Sequence, residues 1–283
     1  MQNGKMKLLV AVLLVIMVSS FAFNAYQWNT NLSLTSPSKK ELMATILIQD
    51  ASNINSELVK LDSLITNACR QLSLTGLTGS GAEKVLSDLF TQRSDVIVNA
   101  ATADKNDVLL AIQPSNYSSI IGQDIKNQEQ NIEMHLTMRP AISNLIHLVE
   151  GFPGVVMVAP VFDTNGQFVG SLSIVFLPYE LIHPIVESTV QGVYTIYALQ
   201  RNGTLIYDAS AEQGKNVFTD EEYQGHTELQ TFIHQVVDTQ SGYGKYSYYD
   251  DLAPSRPLVN KEAYWMTIGI YNTEWRLVVA RTL

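Results

Sequence analysis

Residues 154–177 read GVVMVAPVFDTNGQFVGSLSIVFL, two apolar runs, Gly154 to Phe162 and Gln167 to Leu177, around Asp163-Thr-Asn165-Gly166. Asn-Gly between hydrophobic runs is a strong hairpin signal, because both central positions tolerate positive φ. The stretch therefore predicts an antiparallel pair rather than a βαβ unit. Along its second arm Ser171, Ser173 and Val175 fall on one face. The same grammar recurs downstream, where Tyr194 to Leu199 and Thr204 to Ala209 flank Arg201-Asn202-Gly203, and upstream, where Val96 to Ala100 and Val108 to Gln113 flank Asp104-Lys-Asn-Asp107. Three final strands, Tyr243 to Tyr249, Ala263 to Tyr271 and Trp275 to Ala280, are rich in Tyr and β-branched residues.

Upstream of the sheets the pattern changes period. From Leu47 the residues Ala51, Ile54, Leu58, Leu61, Ile65, Ala68 and Leu72 alternate steps of four and three, one stripe on one helix. Ser38-Lys-Lys-Glu41 is a capping box that opens it and Gly76 closes it, for a length of about 57 Å. Such a seam serves equally as a homodimer coiled coil or as a spine packed on its own domain. Ser80-Gly-Ala-Glu83 repeats the capping box before a shorter amphipathic helix. The polar stretch that follows, to Met138, reads as helix with loops, Pro178 to Val190 as a connecting helix, and Thr227 to Val237 as another helix.

Length and composition exclude several classes. The chain has 283 residues, 46% hydrophobic and 16% charged, which is the composition of a globular protein of about two domains. With 18 basic against 27 acidic residues it lacks the cationic excess of a nucleic-acid binder. The single cysteine, Cys69, forms no intrachain disulfide and no CxxC site, and its place one step off the stripe predicts an inert helix residue. The histidines His135, His147, His183, His226 and His234 make no HxxH, HxxxH or HExxH pair, and no GxSxG, GxxxxGK[ST] or GxGxxG occurs. No metal, cofactor or catalytic residue is expected.

Lys5 and Lys7 precede Leu8 to Phe23, an apolar run whose length lies between a signal-peptide core and a membrane span. Ser20-Phe-Ala22 offers a cleavage site, while Ala25-Tyr26-Gln27-Trp28 extends the run to an interfacial aromatic pair. Retention as a signal anchor is the preferred reading, secretion after cleavage the other. Either places everything after residue 26 outside the cytoplasm, where the sequons at Asn31, Asn116 and Asn202 fit.

The ordered motifs resemble those of double Cache sensor modules. Ile121-Gly122-Gln-Asp124-Ile125 is similar to that family's "ligkdl" turn, Pro140-Ala-Ile-Ser143 to its "p-x-i-S" element, and Val158-Ala-Pro160-Val161-Phe-Asp163 through Gly166 to Val169-Gly170 to its "ia-Pv-d-x-x-G-x-vG" hairpin. Leu199-Gln-Arg-Asn202-Gly203-Thr204-Leu-Ile resembles the "d-x-dG-x-vi" hairpin of the second module, and Gly242-Tyr-Gly244 with Glu274-Trp275-Arg-Leu-Val its closing strands. The resemblance spans about residues 38–283 and implies an α+β fold, a long N-terminal helix followed by two PAS-like antiparallel-sheet modules. It divides the chain into a signal segment 1–26, a spine helix 38–76, a membrane-distal module 80–190 and a membrane-proximal module 191–283.

The same resemblance implies an extracytoplasmic small-molecule sensor with its ligand in the distal module. The sequence departs from the family where many members hold amino acids. The expected Arg-x-Trp-Tyr run is replaced by Lys126-Asn-Gln-Glu-Gln-Asn131, and Val175 stands where an ammonium-binding Asp is expected. The candidate ligand residues are Tyr117, His135, Arg139, Ser143, Ser171, Ser173 and Val175, with Arg139 as a fork for a carboxylate-bearing ligand. The chain stops at Leu283, three residues after its last expected strand, so the expected sensor lacks its own output domain and works with a separate signalling or transport protein. A structural cell-surface spacer and, behind it, a hydrolase with a non-motif site are the alternatives.

Overall fold

The structure is a computed structural model; it describes residues 38–189, 193–209, 213–249 and 255–283. The apolar segment Leu8 to Phe23, the residues 26–37 and the sequon at Asn31 lie outside the described residues.

Helix α1 runs Lys39–Thr75. At its start the Ser38 hydroxyl accepts from the Glu41 amide (3.2 Å) and the Glu41 carboxylate accepts from the Ser38 amide (2.6 Å), the reciprocal box read from the sequence. It ends at Gly76, whose φ of +84° closes the helix with a bond to the Leu72 carbonyl. All eight stripe residues from Leu47 to Leu72 are buried. Helix α2 is Gly79–Gln92. Here the structure corrects the second capping box: the helix begins before Ser80, Thr78 takes the cap position, and no side chain caps it. Cys69 is half-buried in α1, and burial pushes its thiol up to about 12, which leaves it unreactive.

Strands β1 (Ile97–Asp104), β2 (Leu109–Gln113), β3 (Ala141–Ile142), β4 (Ile146–His147), β5 (Pro153–Phe162) and β6 (Phe168–Phe176) form the first sheet, in the order β2-β1-β6-β5-β3 with β4 paired to β5. The polar stretch before β3 holds a 3-10 turn, Ser115–Ile120, and helix α3, Glu129–Thr137. Helix α4 (Pro178–Thr189) leads to the second sheet, β7 (Tyr194–Leu199), β8 (Leu205–Asp208), β9 (Ser241–Tyr249), β10 (Leu258–Ile268) and β11 (Trp275–Thr282), in the order β8-β7-β11-β10-β9. Helix α5 (Thr227–Asp238) lies in the β8–β9 connection. Setting β4 aside, the two sheets have the same order of five strands, second-first-fifth-fourth-third, and every pairing is antiparallel.

The three hairpin turns share one geometry. Asp104, Asp163 and Gln200 each pair with the residue four places on, and the fourth turn residue, Asp107, Gly166 or Gly203, carries positive φ of 62°, 77° and 86°. Only that one position is left-handed in each; Asn165 and Asn202 keep negative φ, so these are longer turns rather than the two-residue Asn-Gly type the sequence suggested. The Asp104 and Asp163 carboxylates complete their turns by accepting two backbone amides each.

Strand alternation decides what each face meets. Leu172, Ile174 and Phe176 of β6, Ile196 and Ala198 of β7, and Leu277 and Val279 of β11 join one apolar cluster with the α1 stripe. The spine is thus a scaffold for both sheets of this chain. On the opposite face of the second sheet, Phe232, Ile233, Val236 and Val237 of α5 pack against Trp265, Val278 and Ala280 and fill the space. On the opposite face of the first sheet, α3 contributes Met134 against Ala141 and Val158, with Phe168 at the edge of that cluster. A gap is left beside it.

Candidate functional site

The gap lies over Asn99 and Ala101 of β1, Val156 of β5, and Ser173 and Val175 of β6. Register places them together: Asn99 pairs with Val175, Ala101 with Ser173, and Val156 with Val175. Leu109, Ile120, Ile125 and Gln128 form one wall, and Leu148, Val149 and Glu150 close the other. The cavity measures about 20 Å³, room for about one water molecule. The closing wall is a tight turn in which Gly151, at φ +95°, donates to the Leu148 carbonyl and Leu148 donates to the Phe152 carbonyl. It is tied down by the Asn99 side-chain amide donating to the Glu150 carboxylate at 2.7 Å, and by Leu148 packed on Val156 and Val175.

Of the residues singled out in the sequence, Ser173 and Val175 line this cavity. Ser171 is buried on the same strand, between Ala103 and Pro160 in register, and is not part of the lining. Tyr117 is half-buried outside the lining, its ring 6.4 Å from that of Phe152. Ser143 is buried in a backbone role, donating to the Asn144 carbonyl (2.6 Å) and accepting from the Val156 amide (2.9 Å). His135 reaches the buried Asp107 carboxylate, Nε2 to Oδ2 2.9 Å, and sets its ring edge-on to Phe168. Burial pushes the Asp107 carboxyl up, and the nearby His135 opposes that shift. Arg139 is exposed and outside the lining. Among the described residues no basic side chain borders the cavity.

The residues that sequence reasoning passed over are Asn99, Gln128 and Glu150. Asn99 sits in an apolar strand and is almost fully buried, the one available signal, since an amide in such a run needs a partner. Glu150 lies in a turn whose closure onto β1 depends on a contact 51 residues distant.

Two larger clefts lie elsewhere. One, about 440 Å³, runs between α1 and α4; of its charged lining Glu57 pairs with Lys60 (2.6 Å) and Arg93 (2.8 Å), and Arg93 with Asp95 (3.1 Å), while Glu180 borders it as well. The other, about 420 Å³, lies between the two sheet modules, bordered by Glu129 and Glu133 of α3, Asn144, and Arg201 and Glu274 of the second module, the last two paired at 3.3 Å. Among the described residues no group of three or more His, Cys, Asp or Glu could hold a metal, and no helix is long and apolar enough to cross a membrane.

Residues 56–178 match the model of the HK/GC/chemotaxis protein-like sensor domain. An extracellular ligand-binding receptor from Desulfohalobium retbaense is 33% identical, with a TM-score of 0.70 over 84% of this chain; the chain spans 40% of that receptor's length. The ligand-binding domain of the Pseudomonas aeruginosa amino acid chemoreceptor PctB, in complex with L-Gln, superposes with a TM-score of 0.59 at 10% identity, covering 84% of this chain and 89% of that one. The periplasmic sensory domain of the Campylobacter jejuni chemoreceptor Tlp1 gives 0.58 at 14% identity, covering 85% and 93%. No curated protein matches the sequence. Sheet order, spine and family model agree: residues 56–178 carry the HK/GC/chemotaxis-type sensor domain match, and the fold is that of double Cache, PAS-like modules.

Proposed function

We propose that this chain is an extracytoplasmic small-molecule sensor whose ligand enters the cavity between β1, β6 and the Leu148–Gly151 turn. The observation that carries the reading is the asymmetry between the two modules: α5 fills the face of the second sheet opposite the spine, whereas the corresponding face of the first sheet keeps a cavity with Asn99, Gln128, Glu150 and Ser173 at its wall. The sensor-domain match supports it, as do structural relatives that are a ligand-binding receptor and an L-Gln-bound chemoreceptor domain.

A ligand larger than water lifts the turn that carries Leu148, Val149 and Glu150, and the cost is one side-chain hydrogen bond and the packing of Leu148. Binding energy that favours the lifted turn over the closed one then shifts the population between them. No chemical step is involved. The chain is held to the membrane through Leu8 to Phe23, its folded part faces outward, and its state is read by a separate signalling or transport protein.

The small cavity volume is the one observation on the side of a structural spacer, and the same experiment separates the two. Thermal-shift measurements on the full-length chain are made with organic acids, amino acids, amines and purines, alongside Ser173→Phe, which fills the cavity. A ligand that raises the melting temperature of the wild type and leaves Ser173→Phe unmoved is expected, since any molecule that binds only the native state stabilises it. A panel with no effect on either protein would leave the spacer.

A further inference from the structure

Resting on that reading, we infer that the cavity of the first module selects a small cationic ligand, an amine or guanidinium without a carboxylate, with Glu150 as its counter-ion. Among the described residues the cavity wall holds one ionisable side chain, and it is the acid Glu150. Its partner is the neutral amide of Asn99, at 2.7 Å. A cation placed there exchanges a neutral donor for a charge-assisted one, which is the stronger contact with a carboxylate. An anion placed there meets like charge with no basic group to receive it.

A second observation points the same way. Directly behind the wall, Gln130 bonds to Gln128 and Asn131 bonds to the Ile125 carbonyl, so each amide nitrogen is occupied. The oxygens Gln130 Oε1 and Asn131 Oδ1 have no partner, although both residues are fully buried, and the buried Asp107 leaves Oδ1 unpartnered as well. These three are the buried unpartnered side-chain atoms of the first sheet module among the described residues, and all are acceptors. Unpaired buried acceptors carry a desolvation cost that only a donor relieves. An ammonium brings up to three donors and a guanidinium five, whereas a carboxylate brings none. The apolar remainder, Leu109, Ile120, Leu148 and Val175, fits a short hydrocarbon stem rather than a second polar end.

The test uses three probes of equal length and different charge, butylammonium, butyrate and 1-butanol, titrated calorimetrically into the full-length chain at about 0.15 M salt, where distant charges are screened. Butylammonium is expected to bind, and Glu150→Gln, which keeps the oxygen that Asn99 contacts and so keeps the turn closed, is expected to weaken it at least tenfold. Circular dichroism of that variant confirms its fold. Absence of butylammonium binding, or undiminished binding in Glu150→Gln, overturns the inference. Butyrate or butanol binding that is lost in Ser173→Phe also overturns the cationic class and leaves the sensor reading standing. Butylammonium binding that survives Ser173→Phe lies outside this cavity and removes both.

Discussion

Asp50 tests the packing of the spine through its pH dependence. It is fully buried in α1; Oδ2 accepts the Thr189 hydroxyl of α4 at 3.0 Å, and Oδ1 has no partner. Burial raises its carboxyl to about 6, and the Thr189 bond offsets only part of that. The unfolded chain holds an aspartate near 3.9, so between those values the native state carries a proton that the unfolded state lacks. Stability therefore falls as pH rises from about 4 to 6 and is flat above. A shift of about two units at 1.36 kcal/mol each caps the cost near 3 kcal/mol, and relaxation around the carboxylate brings the expectation to about 1–3 kcal/mol. Asp50→Asn removes the charge and keeps a side chain able to meet Thr189. In urea unfolding of both proteins from pH 4 to pH 8, the stability difference should move in favour of Asn by about 1–3 kcal/mol across the range, reaching its plateau near pH 7. A difference that is the same at pH 4 and pH 8 would refute a buried, destabilising carboxylate.

Other substitutions probe separate joints of the fold. Leu61→Ala, at a fully buried stripe position, should cost about 2–5 kcal/mol in urea unfolding. In Gly170→Ala the new methyl would sit 2.1 Å from the Ala103 carbonyl oxygen at a φ of +147°, so the β1–β6 register breaks and soluble expression of folded protein should be lost. Arg276, buried under the C-terminus of α5, donates to the carbonyls of Val236, Val237 and Thr239; Arg276→Met should lower stability by about 2–4 kcal/mol and expose the α5 amides to hydrogen exchange.

The spine was legible because a single period governs it: eight residues at steps of four and three, a capping box and a glycine stop all point to one helix, and each is local. The hairpins were legible for the same reason, down to Ser173 and Val175 sharing a face. What stayed hidden depends on distance in the chain. Whether the stripe meets its own sheets or a second helix is decided by Leu172, Ile174 and Leu277, 100 or more residues away, whose alternation is compatible with either. The type of the two Asn-Gly turns was misread because Asp163 and Asn202 supply side-chain acceptors that stabilise a longer turn than the Asn-Gly pair alone suggests. Arg139 attracted attention by its place before a matched motif, yet Met138, at φ +50°, ends α3 there and Arg139 is exposed. Glu150 has no local signature, since its role comes from Asn99 across the sheet.

The segment from β3 to the Leu148–Gly151 turn has two masters, and that gives the cavity a mechanical outlet. One end, Leu148 to Glu150, is the cavity wall. The other end is held by the second module: Asn272 accepts from the Ile142 amide and donates to the Ile142 carbonyl, each at 3.2 Å, in the manner of an added strand residue, and the Gln200 side chain accepts from the Leu145 amide. Asn272 belongs to the β10–β11 hairpin, which also grips the spine, because Asn55 accepts from the Gly269 amide at 2.8 Å and Tyr271 donates its hydroxyl to Asp62. A wall that lifts therefore strains backbone bonds six residues back, and those bonds end on a hairpin already fastened to α1 one turn below Leu58 and one turn above it. Packed interiors transmit such a displacement rather than absorb it, since they hold few voids into which side chains could relax. A bonded route from the cavity to the spine runs through Ile142 and this hairpin, with no requirement that the apolar seam of α1 slide along either sheet.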